Sequence, residues 1–485
     1  MTWPRRTNGL SVRTLPTGCI FADKGPAIFV NSNDGLLAFS AILNSRAFGL
    51  LISLQLARTE LAQSFEVGLI QKTPVPGLSA DQQAQLADLA RRTWSLKRTL
   101  DTVEETSHAF LLPAALRARL GDYDPPVMEA EIERIQAVID EIAFDLYGFA
   151  EEDRAAVQGA SAAATTNEAE DSEPDDDSDG EDDVAPADQT DSLLSWAVGV
   201  AFGRSDLRLA TGERAAPPEP DPFDPLPARS PGMLPDGDAP FHAHPGILVD
   251  DPGHPHDLAR LIEDVLARAH CPPPEDVRRW LQRDFFPFHL QRYSKSRRKA
   301  PIYWPLLTAS GSYTLWVYYP SLSNQTLYTA INDFLEPKLT DLGRQIAALG
   351  AKGDAGTRDE AKALESLQEL EEELIELRDA LLRIAPTYQP NHDDGVQITA
   401  APLWPLFRHR PWQRLLKETW NKLEKGDYDW AHLAMAYWPE RVRKKCETDR
   451  SLAIAHGLED LYQPPLEDEK RPARRRSRNR AAEMP

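Results

Sequence analysis

The sequence predicts a helix-rich α+β protein built from several domains. Its 485 residues exceed the roughly 100 to 200 residues of one domain, and a hydrophobic content of 41% is enough for more than one core. Apolar residues recur at spacings of three and four over long stretches, as in amphipathic helices. Two short aromatic runs between 301 and 319 are instead typical of a strand hairpin.

The first 78 residues are predicted to form a small mixed α/β module. Alternating apolar residues over 18–30 predict short strands. The apolar run 35–57 is interrupted by polar residues that include Asn44 and Arg46, so it predicts two helices around a polar turn.

A helical segment is predicted over 79–158. Ser79, followed by Gln82 three positions later, forms the capping-box pattern of a helix start. From Met128 to Leu146, apolar residues alternate between spacings of four and three, which indicates one buried helix face.

The acidic segment 159–191 is predicted to be a disordered linker. Residues 168–183 hold eleven carboxylates and no Lys or Arg, which is half of the formal net charge of -22. Such a block repels itself and buries little apolar surface. The acidic total therefore does not exclude a nucleic-acid partner for the rest of the chain.

The rest of the chain divides by composition. Matching apolar spacings in 339–349 and 367–384, across a Gly-rich turn, predict two helices packed antiparallel. The predicted domains are 192–335, a mixed α/β region with a Pro-rich loop and a basic-aromatic hairpin; 336–385, an antiparallel coiled-coil hairpin; 386–465, a C-terminal helical region; and 466–485, a disordered basic tail.

The cysteines and the hydropathy pattern suggest a compartment. Cys19, Cys271 and Cys446 lack CxxC spacing, which argues against a disulfide framework or a cysteine-based zinc site. No run approaches the roughly 20 apolar residues of a membrane span, and no signal region follows the first arginines. We expect a cytoplasmic protein without a membrane partner.

Two short motifs resemble parts of a methyl-transfer site, but packing explains them better. Gly199 and Gly203 lack the acidic residue about 20 positions on that a nucleotide-binding unit carries. In Asp124–Val127 (DPPV), valine stands where enzymes that methylate exocyclic amino groups have an aromatic ring, and a helix follows. We interpret the first pair as packing glycines and the second motif as a helix start.

Two polar clusters suggest metal sites, and simpler explanations compete with both. Four histidines in 241–257 could face one ion, but no Cys or carboxylate completes a familiar ligand spacing. Asp393 and Asp394 precede a glycine, and turn chemistry explains them better than a nuclease site. We expect no metal site.

The strongest local signal is a basic cluster followed by aromatic residues. Five of the ten positions in 291–300 are Lys or Arg, and Tyr303 and Trp304 follow closely. Basic side chains contact phosphates and aromatic rings stack on bases, so the stretch is typical of a nucleic-acid surface. A solvated basic loop before a hydrophobic hairpin explains it equally well from the residues alone.

Nine peptides carry a family resemblance: RRTNGLSVRTLPTGCIFADKGPAIFV, ILNSRAFGLLISLQL, FEVGLIQKTPVP, IDEIAFDLYGF, LSWAVGVAFGRSDLRLATGE, YSKSRRKAPIYWPL, YTLWVYYPSLSNQTLYTAINDFLEPKL, NHDDGVQITAAPLWPLF and DYDWAHLAMAYWPERVRKKC. Together they resemble the C-terminal half of large adenine-specific DNA methyltransferases, the type IIG-like enzymes of the BREX (PglX) and DISARM phage-defence systems. The choice between those two systems stays open.

The resemblance implies an N-terminal catalytic domain with a cofactor loop and an NPPY motif, then target recognition. Neither motif occurs in this sequence, so we expect a DNA-binding, target-recognition portion without the S-adenosylmethionine-binding domain and without a cofactor of its own. Double-stranded DNA is the expected partner; a separately encoded methyltransferase half or other phage-defence proteins are candidate partners. Two alternatives stay open: a non-catalytic assembly subunit of a defence complex, and a complete methyltransferase with degenerate motifs.

The same resemblance makes DNA the expected partner of particular side chains. Phosphate contacts are predicted for the tail 470–480 and for Arg292, Lys295, Arg297, Arg298 and Lys299. Tyr303 and Trp304 are predicted to stack on bases. Base contacts are predicted for the N-terminal donors Arg5, Arg6, Arg13, Lys24, Asn44 and Arg46. A surface ion pair is the competing explanation for each of these donors.

Overall fold

A computed structural model describes the chain over residues 1–7, 9–56, 63–121, 123–155, 157, 188–295, 298–352 and 357–464. These described residues are helix-rich and carry a few small antiparallel sheets, which confirms the α+β class. The predicted tail 466–485 and most of the predicted acidic linker 159–191 lie outside the described residues. The end of that linker differs from the prediction, since a helix already begins at Gln189.

Two compact units make up the molecule, and each is drawn from two separate stretches of chain. Unit 1 comprises Met1–His244 and Pro252–Lys299, and unit 2 comprises Pro245–Asp251 and Ala300–Pro485. The predicted region 192–335 is therefore divided, because its basic cluster belongs to unit 1 and its aromatic hairpin to unit 2.

The strands are short and are numbered in chain order along the described residues: β1 (Arg6–Thr7), β2 (Gln63–Ser64), β3 (Ile247–Asp250), β4 (Ser294–Lys295), β5 (Arg298–Lys299), β6 (Tyr303–Leu307) and β7 (Thr314–Tyr318). In unit 1, β1 pairs with β2 and β4 pairs with β5, both antiparallel. In unit 2, three strands form an antiparallel sheet in the order β3-β7-β6.

Helices build most of unit 1, at Asn33–Leu43, Arg46–Ser53, Val67–Lys72, Ala80–Asp101, Ala114–Arg117, Pro125–Tyr147, Gln189–Ala201, Leu207–Thr211, Leu258–Arg268, Val277–Trp280 and Phe286–Arg292. The predicted helix pair around a polar turn is confirmed, since helix Asn33–Leu43 ends at Asn44 and Ser45 caps the next helix. The predicted capping box at Ser79 is also present. Within the described residues no single helix is long and apolar enough to cross a membrane. The bent helix pair that meets at Asn44 and Ser45 has the length and apolar composition of a span, and only those two properties.

The predicted strands over 18–30 do not form. The chain instead makes single bridges, in which Thr2 pairs with Ala27 and Ala22 pairs with Gly25. Pro26 lies between the two bridges and has no N–H to donate, which prevents a continuous ladder at that point. The segment is therefore a bridged loop on the N-terminal module.

Unit 2 surrounds its sheet with helices at Thr326–Thr329, Glu336–Gly350, Arg358–Ile384, Gly395–Ala400, Arg410–Lys425, His432–Tyr437, Pro439–Cys446 and Arg450–Ala455. The predicted aromatic hairpin is confirmed as β6 and β7, with Tyr303 opposite Tyr318 and Leu307 opposite Thr314. Most residues of both strands are buried, which agrees with their continuous apolar runs.

The two long helices of unit 2 pack antiparallel, at Glu336–Gly350 and Arg358–Ile384. Arg378 lies 3.5 Å from Glu336 near one end, and Lys352 pairs with Glu360 at the other. A complete capping box at Thr357 starts the second helix. The apolar stripes predicted from the sequence supply the buried face, at Leu339, Leu342, Leu374, Leu377 and Leu381.

Candidate nucleic-acid interface

The basic cluster folds into a short two-stranded ribbon at the end of unit 1. We call Ser294, Lys295, Arg298 and Lys299 the basic ribbon; Ser294 pairs with Lys299, and Lys295 pairs with Arg298. Lys295 and Arg298 are exposed, whereas Lys299 is half-buried and donates from Nζ to the Ser294 hydroxyl at 3.4 Å. Arg297, predicted as a phosphate contact, lies outside the described residues.

Arg292 does not belong to the exposed part of this surface. Its guanidinium lies 3.0 Å from the Glu104 carboxylate, and its side chain is only 10% exposed. Glu104 is far from Arg292 in sequence, so no local charge pattern predicts this ion pair. We therefore remove Arg292 from the candidate phosphate contacts and assign it to the support of the ribbon.

Tyr293, the residue before the ribbon, is held by a buried carboxylate. Glu105 accepts hydrogen bonds from the Tyr293 hydroxyl at 2.8 Å, from Arg204 Nη1 at 2.7 Å and from the Ser195 hydroxyl at 2.7 Å. The Arg204 guanidinium also lies over the Tyr293 ring, 5.4 Å from its centre. We call Glu105, Ser195, Arg204 and Tyr293 the Glu105 cluster; the sequence analysis did not find it.

A buried histidine packs against the same cluster. His289 lies within the turn of helix that precedes Tyr293, and the two ring centres are 4.4 Å apart. Burial, followed by the positive charge of Arg204, lowers the pKa of His289 well below its usual range. The imidazole is therefore neutral at physiological pH, and the cluster carries one cation, Arg204, opposite one anion, Glu105.

A second group of predicted residues lies along the edge of the N-terminal module. Arg5 donates to the Glu66 carboxylate at 2.8 Å through Nε, and its backbone N–H donates to the carbonyl of Lys24 at 3.0 Å. Hydrogen bonds from Arg5 and then Ser64 lower the pKa of Glu66. Arg6 and Lys24 are exposed beside this pair. We call Arg5, Arg6 and Lys24 the N-terminal edge.

Three other predicted donors meet at a groove in unit 1. The groove encloses about 1200 Å³, and its lining includes Arg13, Asn44 and Arg46 together with Trp94 and Lys97, which the sequence analysis missed. Trp94 and Lys97 are three residues apart on one helix, so their spacing places them on a common face. That spacing identifies a shared helix face, but it does not show that the face lines a groove with Arg46.

The groove donors differ in their freedom to contact a ligand. Asn44 clamps Val12, accepting its N–H at 2.8 Å and donating to its carbonyl at 2.9 Å, so its amide has a structural role. Arg46 remains 47% exposed while its Nε lies 3.4 Å from the Asp140 carboxylate. Burial raises the pKa of Asp140 and hydrogen bonds, the first from the Arg46 backbone, oppose that shift.

Tyr303 and Trp304 lie in unit 2. Both side chains are fully buried. The Tyr303 ring stacks on Tyr318 with a centre-to-centre distance of 5.3 Å, and Trp304 Nε1 donates to the carbonyl of Pro301 at 2.8 Å. Neither ring has an exposed face to stack on a base, so we remove both from the candidate DNA contacts.

The motifs that resembled a methyl-transfer site have structural roles. Asp124 caps helix Pro125–Tyr147 by accepting the N–H of Val127, as the interpretation of DPPV as a helix start predicts. Gly203 has a φ of +68°, and a Cβ there would lie 2.9 Å from Cβ of Pro240. A glycine is therefore required at that point by both backbone conformation and packing.

The histidine and aspartate clusters also make internal contacts. His242 Nε2 lies 2.8 Å from His256 Nδ1, and burial lowers the pKa of nearby His244 to about 4. Asp394 accepts the backbone N–H groups of His432 at 2.7 Å and Leu433 at 3.0 Å, which caps a later helix. In the described part of the chain, no group of three or more His, Cys, Asp or Glu residues could hold a metal ion.

Comparison with known proteins adds no family assignment. The chain matches no protein-family model, and no curated protein matches its sequence.

Proposed function

We propose that this chain binds double-stranded DNA through unit 1, as the target-recognition portion of an adenine-specific DNA methyltransferase of a phage-defence system. The observation that carries the proposal is the exposed pair Lys295 and Arg298 on a ribbon whose base is anchored by Glu104 and the Glu105 cluster. The peptides that resemble type IIG-like enzymes of BREX and DISARM support the choice of DNA as the partner.

In this proposal the ribbon and the other basic surfaces have different tasks. Lys295 and Arg298 contact phosphates, which position the duplex without reading its sequence. The N-terminal edge and the exposed groove donors Arg13 and Arg46 contact base edges, where guanidinium groups suit guanine. Anchoring the ribbon reduces the conformational entropy lost on binding, because its backbone is already ordered.

S-adenosylmethionine is the methyl donor of the full-length enzymes that the chain resembles. In this function the chain positions the DNA, and none of its residues is assigned to that cofactor. A separately encoded catalytic partner, or other phage-defence proteins, would complete the reaction.

The test is a double charge reversal, Lys295→Glu with Arg298→Glu, in the full chain. Binding to a short mixed-sequence duplex is followed by fluorescence anisotropy across a salt series from about 50 to 200 mM. We expect weaker binding and a log–log salt slope reduced by about 2, since each lost phosphate contact removes about 0.9.

A matched control makes the same charge change in unit 2. Arg344→Glu with Lys362→Glu alters two exposed helix residues and should leave affinity and slope close to those of the wild type. Equal effects of the two double variants, or no effect of the ribbon variant, would contradict phosphate contact by the ribbon and favour the assembly-subunit alternative.

A further inference from the structure

An exposed aromatic pair stands out on the N-terminal module. Phe21 is 55% exposed and Phe29 is 67% exposed, and Ile20 beside them is 97% exposed. The two phenyl rings lie 5.3 Å apart, centre to centre, with an angle of 55° between their planes. We call Ile20, Phe21 and Phe29 the aromatic tip. Soluble proteins rarely leave large apolar side chains exposed in a cluster, and such clusters mark interaction sites.

The aromatic tip sits on backbone that is held in place. Gly25 donates its N–H to the carbonyl of Ala22 at 3.1 Å, closing a tight turn between the two phenylalanines. Just before Phe29, the N–H of Ile28 donates to the carbonyl of Met1 at 2.9 Å. Both rings are therefore presented by an ordered loop, which limits the entropy lost when they contact a ligand.

The charges around the aromatic tip suit a polyanion. Lys24 lies in the turn itself, and the backbone of Arg5 is hydrogen-bonded to it, which brings Arg6 to the same edge. Asp23 and Glu66 offset part of this positive charge. The Arg5 guanidinium lies 3.7 Å from the Asp23 carboxylate and donates a hydrogen bond to Glu66. Apolar rings flanked by Lys and Arg are the combination that proteins use to enter between DNA base steps.

We propose that Phe21 and Phe29 contact bases of duplex DNA directly, by inserting at a base step or stacking on it, next to the base edges that the N-terminal edge contacts. This inference rests on the proposed DNA binding and adds to it a residue-level mode of contact. It assigns local unstacking of the duplex to the aromatic tip and overall electrostatic attraction to the basic ribbon.

The experiment uses the full chain and a duplex that carries 2-aminopurine, whose fluorescence rises when its base is unstacked. Phe21→Ala with Phe29→Ala should weaken binding about tenfold and abolish the fluorescence rise, because stacking on an aromatic side chain is removed. The salt slope should stay unchanged, since no phosphate contact is lost. Leu54→Ala, which removes another exposed apolar side chain (72% exposed) of unit 1, is the matched control.

A conservative variant separates stacking from folding. Phe29→Tyr keeps an aromatic ring and should retain the fluorescence rise, and both variants should keep the wild-type circular dichroism spectrum. Wild-type affinity and fluorescence in the double alanine variant would overturn the inference while leaving the ribbon test to decide DNA binding.

Two other results would also count against the inference. A double alanine variant that changes the oligomeric state by light scattering, with unchanged DNA affinity, would assign the aromatic tip to protein contact. Failure of the wild-type chain to bind any duplex at low salt would overturn this inference and the proposed function together.

Discussion

Glu105 is the residue on which the position of the basic ribbon most depends. Its two carboxylate oxygens take three side-chain hydrogen bonds, from Ser195, Arg204 and Tyr293, and its side chain is only 8% exposed. Arg204 is similarly buried, at 11%. In such a site the net benefit of the ion pair is modest, but the loss of the Glu105 carboxylate removes the charged partner shown here for a buried Arg204.

Glu105→Ala should therefore lower the free energy of unfolding by roughly 3 kcal/mol or more. It should also weaken DNA binding, because Tyr293 loses its anchor beside the ribbon. Urea denaturation followed by circular dichroism measures the first effect, and anisotropy measures the second. The matched control is Glu263→Ala, which removes an exposed carboxylate of the same unit and should change the free energy of unfolding by about 0.5 kcal/mol or less. Equal denaturation midpoints for the two variants would contradict the special role of Glu105.

Helices are the elements that sequence pattern predicts best in this protein. The stripe from Met128 to Leu146 becomes the buried face of helix Pro125–Tyr147, with Ile135 and Ile139 in the core. Short strands are predicted less well, because the segment 18–30 has the alternation of a strand but forms only single bridges. Alternation within one segment gives no information on its pairing partner, and a strand forms only where it pairs with another.

The long helix Arg358–Ile384 offers a test between adjacent leucines. Leu381 is fully buried and Leu382 is 45% exposed. Leu381→Ala should lower the free energy of unfolding by roughly 2 to 5 kcal/mol, since it removes buried methyl groups and leaves a cavity. Leu382→Ala should change it by about 0.5 kcal/mol or less, as is usual for surface positions. Urea midpoints of the full chain provide the measurement, and similar midpoints would show that the assigned helix face is wrong.

At the scale of the whole molecule, the candidate DNA contacts that remain among the described residues belong to one unit. The N-terminal edge, the groove, the aromatic tip and the basic ribbon all lie in unit 1, although they span the chain from Arg5 to Lys299. Tyr303 and Trp304, four and five residues after Lys299, belong instead to the core of unit 2.

Hydrogen exchange with and without duplex DNA should reflect this division. We expect slower exchange on DNA binding for backbone amides of the basic ribbon and of residues 1–7 and 9–30. Peptides from strands β3, β6 and β7 should exchange at the same rate with and without DNA, and they serve as the internal control. Protection of equal size in the β6–β7 hairpin would contradict the assignment of DNA contact to unit 1.

The sequence by itself determined the local features of this protein. Helix caps at Ser79 and Thr357 and the β6–β7 hairpin follow from residues close together in the chain, because backbone hydrogen bonds and side-chain periodicity act over a few positions. Only the tertiary structure decided which basic residues stay exposed. Tyr293 reaches Glu105 across 188 residues of chain, and Arg292 pairs with Glu104, the residue next to Glu105. Burial and ion pairing depend on which distant segments meet, and local spacing does not encode that.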